Sequence, residues 1–356
     1  MGVVGMNPQS RSLIIAIAAV VCLCLASVSI AYGLYLCRPP PPLDTTVTMP
    51  PFTSLLPFPF PRVIYTYWDN PATVPRVVRT CIASWKRHNP GWKIVLLHRN
   101  TAGEYAPELQ ELLRLPCFKD MVQRTSDVVR SCVLARLGGF WVDSSVFMRA
   151  PLESWLAAGL APETEFVAFY IEAMTKALPA IENWFFGCAV GSAFMAKWRD
   201  EFLKLRDFES VGDYLQAVRA SGVDISGISI PNYLTMHVAA TKVLADGYPL
   251  DRLKLYPAEK GPLLALAQNN WKVDDAMRAE CATPPDRRGP LLKLRGADRD
   301  LLEQDPELAA CVLSPKCSTA WVRPSSVAFS SAPQRTAVAP QPSCSPTSPT
   351  MAPIFA

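Results

Sequence analysis

A surplus of either charge sign is missing from this 356-residue sequence: 35 Lys and Arg stand against 31 Asp and Glu, for a net charge of +4. A nucleic-acid-binding chain normally carries a concentrated basic excess, so that class is set aside. Glycine is scarce, with 17 residues against 34 prolines. Paired cysteines are missing as well. None of the 11 cysteines stands in C-x-x-C spacing, so a zinc site has little support. Apolar residues, by contrast, make up 50% of the chain, enough to build a core and too many for a wholly disordered polymer. Length alone would allow two to three domains.

The prolines lower that number. Nine lie between Pro39 and Pro61, and seven more from Pro324 onward, which leaves 18 for the rest of the chain. Proline fixes φ and lacks an amide donor, so residues 37–61 read as an extended stem. Before the stem, residues 13–36 form an uncharged run, LIIAIAAVVCLCLASVSIAYGLYL. As a helix it would be roughly 36 Å long, and about 20 apolar residues suffice to span a bilayer. It is expected to be an uncleaved signal anchor, with residues 1–12 cytosolic and the bulk of the chain in a secretory lumen, Golgi or similar. Residues 324–356 are rich in Ser, Thr and Pro with Arg335 as their sole charge, and read as a disordered tail. Residues 62–323 remain as one domain.

Within it, Arg62–Trp68 is β-branched and aromatic, Val74 to Trp85 carries apolar residues at helical spacing, and Trp92–His98 reads as a second strand. A further helical stripe runs from Met121 to Leu137 and ends at Gly138-Gly139; a short strand, Phe140–Val142, follows and stops at Asp143. Strand, helix, strand, helix, strand predicts an α/β domain with a mostly parallel sheet and helices on both faces. Ligands of such sheets collect beyond the carboxyl ends of the strands, where Trp68 and Asp143 fall. Cys81, Cys132 and Cys188 are expected to be buried thiols, and Cys311 with Cys317 a candidate disulfide.

Asp127 and Arg130 share a helix face, three residues apart. An acid beside a guanidinium fork can grip hydroxyls or a phosphate; alone, such a pair is equally a surface ion pair worth at most about 1 kcal/mol. The order Ser126-Asp127-x-x-Arg130, then Asp143 after an apolar strand, is more specific than either part. Glu182 and Asn183, before Trp184, are candidates for an acceptor-side base, with a surface turn as the alternative. His237 falls in an apolar helical stripe and is either a core-edge histidine or a phosphate contact.

Together these segments resemble the sugar-binding region with the DxD motif of family 32-type glycosyltransferases, and most closely its capsular polysaccharide synthesis branch. The pieces that carry the likeness are PRVIYTYWDN, SWKRHNPGWKIVLL and RTSDVVRSCVLARLGGFWVDSSVF, followed by IENWFFGCAVG, YLTMHVAATKVL and GPLLKLRG. The resemblance implies a GT-A type, Rossmann-like fold, a nucleotide-sugar donor, Mn²⁺ or Mg²⁺, and transfer with retention of configuration. It assigns Asp127 and Arg130 to the donor sugar, Asp143 to the metal and donor, and Tyr65 and Trp68 to the nucleoside base, where an aromatic would stack at about 1–3 kcal/mol per base. The third motif position is Ser145 rather than an acid, which weakens the metal site to one carboxylate and a hydroxyl.

The expected function is therefore a membrane-anchored hexosyltransferase of polysaccharide biosynthesis, acting on a glycan or glycolipid acceptor. A catalytically silent sugar-binding or scaffold protein with a degenerate motif is the alternative. A different transferase of nucleotide-linked substrates is the third reading, but it should not also carry the Ser126-Asp127-x-x-Arg130 pair.

Overall fold

β1 (Val63–Tyr67) leads into helix α1 (Arg76–His88), whose buried side chains Val77, Val78, Cys81, Ser84 and Trp85 form one stripe at helical spacing. β2 (Lys93–Leu97) returns parallel to β1. Helix α2 (Val122–Leu137) then leads into β3 (Gly139–Val142) on the other side of β1. These elements lie where the sequence predicts them, to within three residues. The computed structural model describes residues 58–314 apart from residue 120. The expected anchor, most of the stem and the tail lie outside the described residues, among which no helix is long and apolar enough to cross a membrane. Apolar packing begins before Arg62: Phe58 and Phe60 lie against Phe140, and Phe58 also against Trp92.

The six-stranded sheet is mostly parallel, as expected, with one reversed strand. Its order is β2-β1-β3-β6-β5-β7, where β5 is Phe166–Ile171, β6 is Ala180–Cys188 and β7 is Leu253–Pro257. β6 runs antiparallel to both of its neighbours, β3 and β5. The reason is local: a link of eight residues separates β5 from β6, whereas a parallel return needs a crossover of a dozen or more. Reversal of β6 brings its first residues to the carboxyl end of β3, so that the Asp143 amide donates to the Trp184 carbonyl at 2.8 Å.

Two glycines permit this packing. Gly138 has φ +62° as it ends α2, a conformation that costs a side chain dearly, and Gly187 lies opposite Phe140 in the β3–β6 register, where a methyl group would overlap the ring.

A second, two-stranded ribbon pairs β4 (Val146–Met148) with β8 (Leu291–Lys293), antiparallel, with Val146 opposite Lys293. Helix α1 pins it: the Trp85 indole donates to the Val146 carbonyl at 2.6 Å, and the Met148 amide donates to the Ser84 hydroxyl at 2.9 Å. Three further helices matter to the site or its support: α3 (Thr235–Ala245), α4 (Val273–Ala282) and α5 (Gly296–Gln304). Cys81, Cys132 and Cys188 are buried thiols, as is Cys117. Cys311 does not follow the expected pairing. Its partner is Cys281, and the bond ties α4 to α6 (Pro306–Val312); Cys317 lies outside the described residues.

Candidate functional site

A pocket of about 200 Å³ opens beside the carboxyl end of β3. Five segments converge on it. Helix α2 contributes Arg130, the β3–β4 turn contributes Asp143 and Ser145, and β6 contributes Glu182, Asn183 and Trp184; α3 adds His237, and the segment from β8 into α5 adds Lys293, Arg295 and Arg299. Six of the residues singled out in the sequence thus line one cavity: Arg130, Asp143, Ser145, Glu182, Asn183 and His237.

Asp143 is the hub. Its Oδ1 accepts from Arg130 Nη2 at 3.0 Å and from the Trp141 indole at 3.0 Å, while its Oδ2 accepts from Lys293 Nζ at 2.9 Å. Burial alone would push its carboxyl up, but the charges of Lys293 and Arg130 outweigh that and hold it below the ordinary value. Lys293 also donates to Ser145 Oγ at 3.0 Å, and its ammonium stands 5.7 Å from the centre of the Trp184 ring. The ribbon register explains why these meet: β8 pairs with β4, and the Leu294 amide donates to the Ser145 carbonyl, fixing Lys293 beside the turn that follows Asp143.

Asp127 is placed differently from the expectation. Its residue is fully buried, and it does not line the pocket. Oδ1 accepts from Arg130 Nη1 at 2.9 Å and Asn183 Nδ2 at 3.1 Å, and Oδ2 has no partner. Burial pushes this carboxyl above the ordinary range, against the pull of Arg130. Asp127 therefore stands behind the wall and orients Arg130 and Asn183, rather than facing a sugar. The pair with Arg130 is not the surface ion pair either, because both side chains are almost wholly enclosed.

The two aromatics assigned to a nucleoside base do not line this pocket. Tyr65 lies in the core, edge-on to Tyr105 at 6.2 Å, because its strand β1 is flanked on both sides. Trp68 does not line the pocket, but the guanidinium of Arg299, which does, lies 5.8 Å from its ring centre.

Where β6 and α3 line the pocket, Glu182 Oε2 and His237 Nε2 are hydrogen-bonded at 3.1 Å, both residues buried. Glu182 stands on the central strand β6, not in a surface turn. Glu182 Oε1 and His237 Nδ1 have no partner. A buried polar atom left so costs about 1–3 kcal/mol, which a core does not normally tolerate.

Residues 57–216 match the family model described as "Capsular polysaccharide synthesis protein". That stretch holds β1 to β3, α2 and the turn that bears Asp143 and Ser145. A curated relative, the O-glycosyltransferase braB of Annulohypoxylon truncatum, is 27% identical over 158 residues, which cover 40% of this chain and 37% of that protein. The chain thus matches little more than a third of that relative's length. Among solved structures, a glycosyltransferase involved in glycosylation of the major capsid of PBCV-1 aligns with 11% identity and a TM-score of 0.34, over 69% of this chain and 98% of that one. Mouse xyloside xylosyltransferase 1 aligns with 7% identity and a TM-score of 0.37, over 66% and 98%.

In this pocket the residues present do not fit a divalent cation. Among the described residues no group of three His, Cys, Asp or Glu could hold one. The two oxygens that the shortened motif offers, Asp143 Oδ2 and Ser145 Oγ, both already face the Lys293 ammonium. A divalent ion about 4 Å from that ammonium would meet a repulsion of roughly 8 kcal/mol at an effective dielectric of about 20. The expectation that Asp143 holds Mn²⁺ or Mg²⁺ is therefore corrected: its partners are cationic side chains.

Sequence reading missed Lys293, Arg295, Arg299 and Tyr233, which stands 37% exposed on the rim. A signal existed for the first. Lys293 interrupts the apolar run Leu291-Leu292-Lys293-Leu294, and a lysine in a buried strand needs a partner. Arg295 is fixed in turn: it donates to both oxygens of buried Asp298 at 3.1 Å, and its guanidinium lies 5.7 Å from the ring centre of Trp271. Trp271 has φ +63°, a strained conformation for so bulky a residue, and such strain gathers at functional sites.

Proposed function

We propose that the chain is a glycosyltransferase that moves a hexose from a nucleotide-sugar donor to a glycan or glycolipid acceptor, with retention of configuration. The observation that carries this reading is the charge of the pocket. Arg130, Lys293, Arg295 and Arg299 line it against only two carboxylates, Asp143 and Glu182. A cavity with that balance at strand carboxyl ends suits a diphosphate, because fixed cations stabilise the charge that develops on a leaving group.

In the transfer, the bond between the sugar C1 and the phosphate oxygen breaks, and its electron pair goes to the diphosphate. The acceptor oxygen bonds to C1 from the same face, and its proton passes to Glu182, whose unpartnered oxygen is free to receive it. His237 steadies the other carboxylate oxygen. No step calls for a metal ion. The expected anchor at residues 13–36 and the Pro-rich stem would hold the domain in a Golgi or other secretory lumen. The Cys281–Cys311 disulfide supports an oxidising compartment of that kind.

The scaffold reading draws support from Asp143, whose oxygens are all taken by Arg130, Trp141 and Lys293. A panel of nucleotide-sugars offered to the full-length chain separates the two. Transfer to an acceptor or hydrolysis of one donor is expected; binding without turnover would favour the scaffold, and neither binding nor turnover would overturn both.

A further inference from the structure

The disagreement between the expected metal and the observed side chains has a positive content. A divalent cation in a sugar-transferring site supplies two positive charges next to an anchoring carboxylate and receives the diphosphate oxygens. Here two positive charges already stand on Asp143, Lys293 on one oxygen and Arg130 on the other. Arg130 is nearly enclosed, with its guanidinium engaged by Asp127, Asp143 and Ser126. Lys293 is the one that faces the cavity, an ammonium with three donors of which two are used, on Asp143 and Ser145. Its third direction is left for a ligand.

Arg299 supplies a second cation. It lines the same cavity, and among the described residues it has no carboxylate partner; its guanidinium lies over Trp68 instead. It rises from the first turn of α5, a nine-residue helix whose first residue, Gly296, also lines the pocket. The helix start adds partial positive charge in the same direction. Lys293, Arg299 and the first residue of α5 thus line one cavity.

We propose that Lys293 takes the place of the divalent cation, so that this site binds the diphosphate of its donor without a metal, on Lys293 and Arg299. The proposal rests on the nucleotide-sugar reading above and names the group that receives its diphosphate. It also gives a physical reason for Ser145. A second acid at that position would add a charge that one ammonium could not balance, whereas a hydroxyl accepts from the ammonium and leaves its charge for the ligand. The ribbon that carries Lys293 is pinned to α1 through Trp85 and Ser84, so the ammonium is held on a rigid strand rather than a loop.

The test is equilibrium binding of UDP, GDP, CDP and ADP to the full-length protein, by calorimetry, once with excess EDTA and once with millimolar Mn²⁺. One diphosphate is expected to bind with equal affinity, within about twofold, in both buffers. Lys293→Met should weaken it at least tenfold in both, and Arg299→Met by a smaller factor, while Lys293→Arg retains most of the affinity. Binding that appears only with Mn²⁺, or tightens more than tenfold with it, would overturn the proposal and leave the transferase reading standing. Absence of binding to every diphosphate in both buffers would overturn the two together. The two-buffer measurement on the unaltered protein needs no variant to fold, so the proposal stands or falls even if Lys293→Met does not.

Discussion

The two walls of the pocket are finished to different degrees. On the wall formed by α2, β3 and β8, the oxygens of Asp143 and Ser145 are engaged and Arg130, Lys293 and Arg295 are locked by short contacts, while the unpaired atoms, Asp127 Oδ2 and Arg130 Nε, lie buried behind it. On the wall formed by β6 and α3, Glu182 and His237 satisfy each other once and leave one atom apiece unpaired. A preformed set of cations costs little reorganisation when an anion arrives, which is what stabilisation of a leaving group requires. Unpaired buried acceptors are the opposite case: they gain by meeting a hydroxyl. On the proposed function, the difference suits the first wall to the diphosphate and the second to the hydroxyl-bearing partner.

The largest effect should come from the hub of the finished wall. Asp143→Asn removes the charge that holds Lys293 and Arg130 in place, and donor turnover should fall by about 10³-fold, measured as release of nucleoside diphosphate. A loss of less than tenfold would mean that the wall does not depend on its hub. Glu182→Gln touches only the unfinished wall. It should lower transfer by about 10²-fold through loss of the proton acceptor, while nucleoside-diphosphate affinity measured by calorimetry stays within twofold. If affinity fell with turnover, the division of labour between the walls would be wrong.

Smaller effects concern what supports the walls rather than their chemistry. Replacing Cys281 and Cys311 by serine opens a loop of 30 residues that spans Lys293, Arg295 and Arg299. Chain-entropy reasoning puts the cost at about 3–4 kcal/mol, read as a lowered urea midpoint, with diphosphate affinity unchanged where the protein remains folded. Gly187→Ala sets a methyl group against Phe140 between β3 and β6, and should cost about 1–3 kcal/mol in the same measurement.

The sequence reveals the finished wall only in part. Asp127, Arg130 and Asp143 lie within one helix–strand unit, so helical spacing and a strand end suffice to bring them together. Lys293 is 150 residues from Asp143, and only the β4–β8 register joins them. No local pattern encodes such a pairing. The same limit explains β6. Its residues read as apolar and strand-like, but its reversed direction depends on the short link from β5, and that reversal is what turns Glu182 and Asn183 from a surface turn into a pocket wall. Asp127 shows a different failure. Spacing correctly put it beside Arg130, yet a shared helix face says nothing of which residue faces the ligand and which stands behind it. Disulfide partners are equally illegible, since spacing alone cannot choose Cys281 over Cys317 for Cys311.

The central claim is that this pocket is a preformed cationic site for a nucleotide-sugar. It is tested most directly by turnover of a nucleotide-sugar panel by the full-length chain in excess EDTA, followed as release of nucleoside diphosphate. One donor should be consumed by the unaltered protein and spared by Asp143→Asn. A chain that neither binds nor consumes any donor, with EDTA or with Mn²⁺, would contradict it.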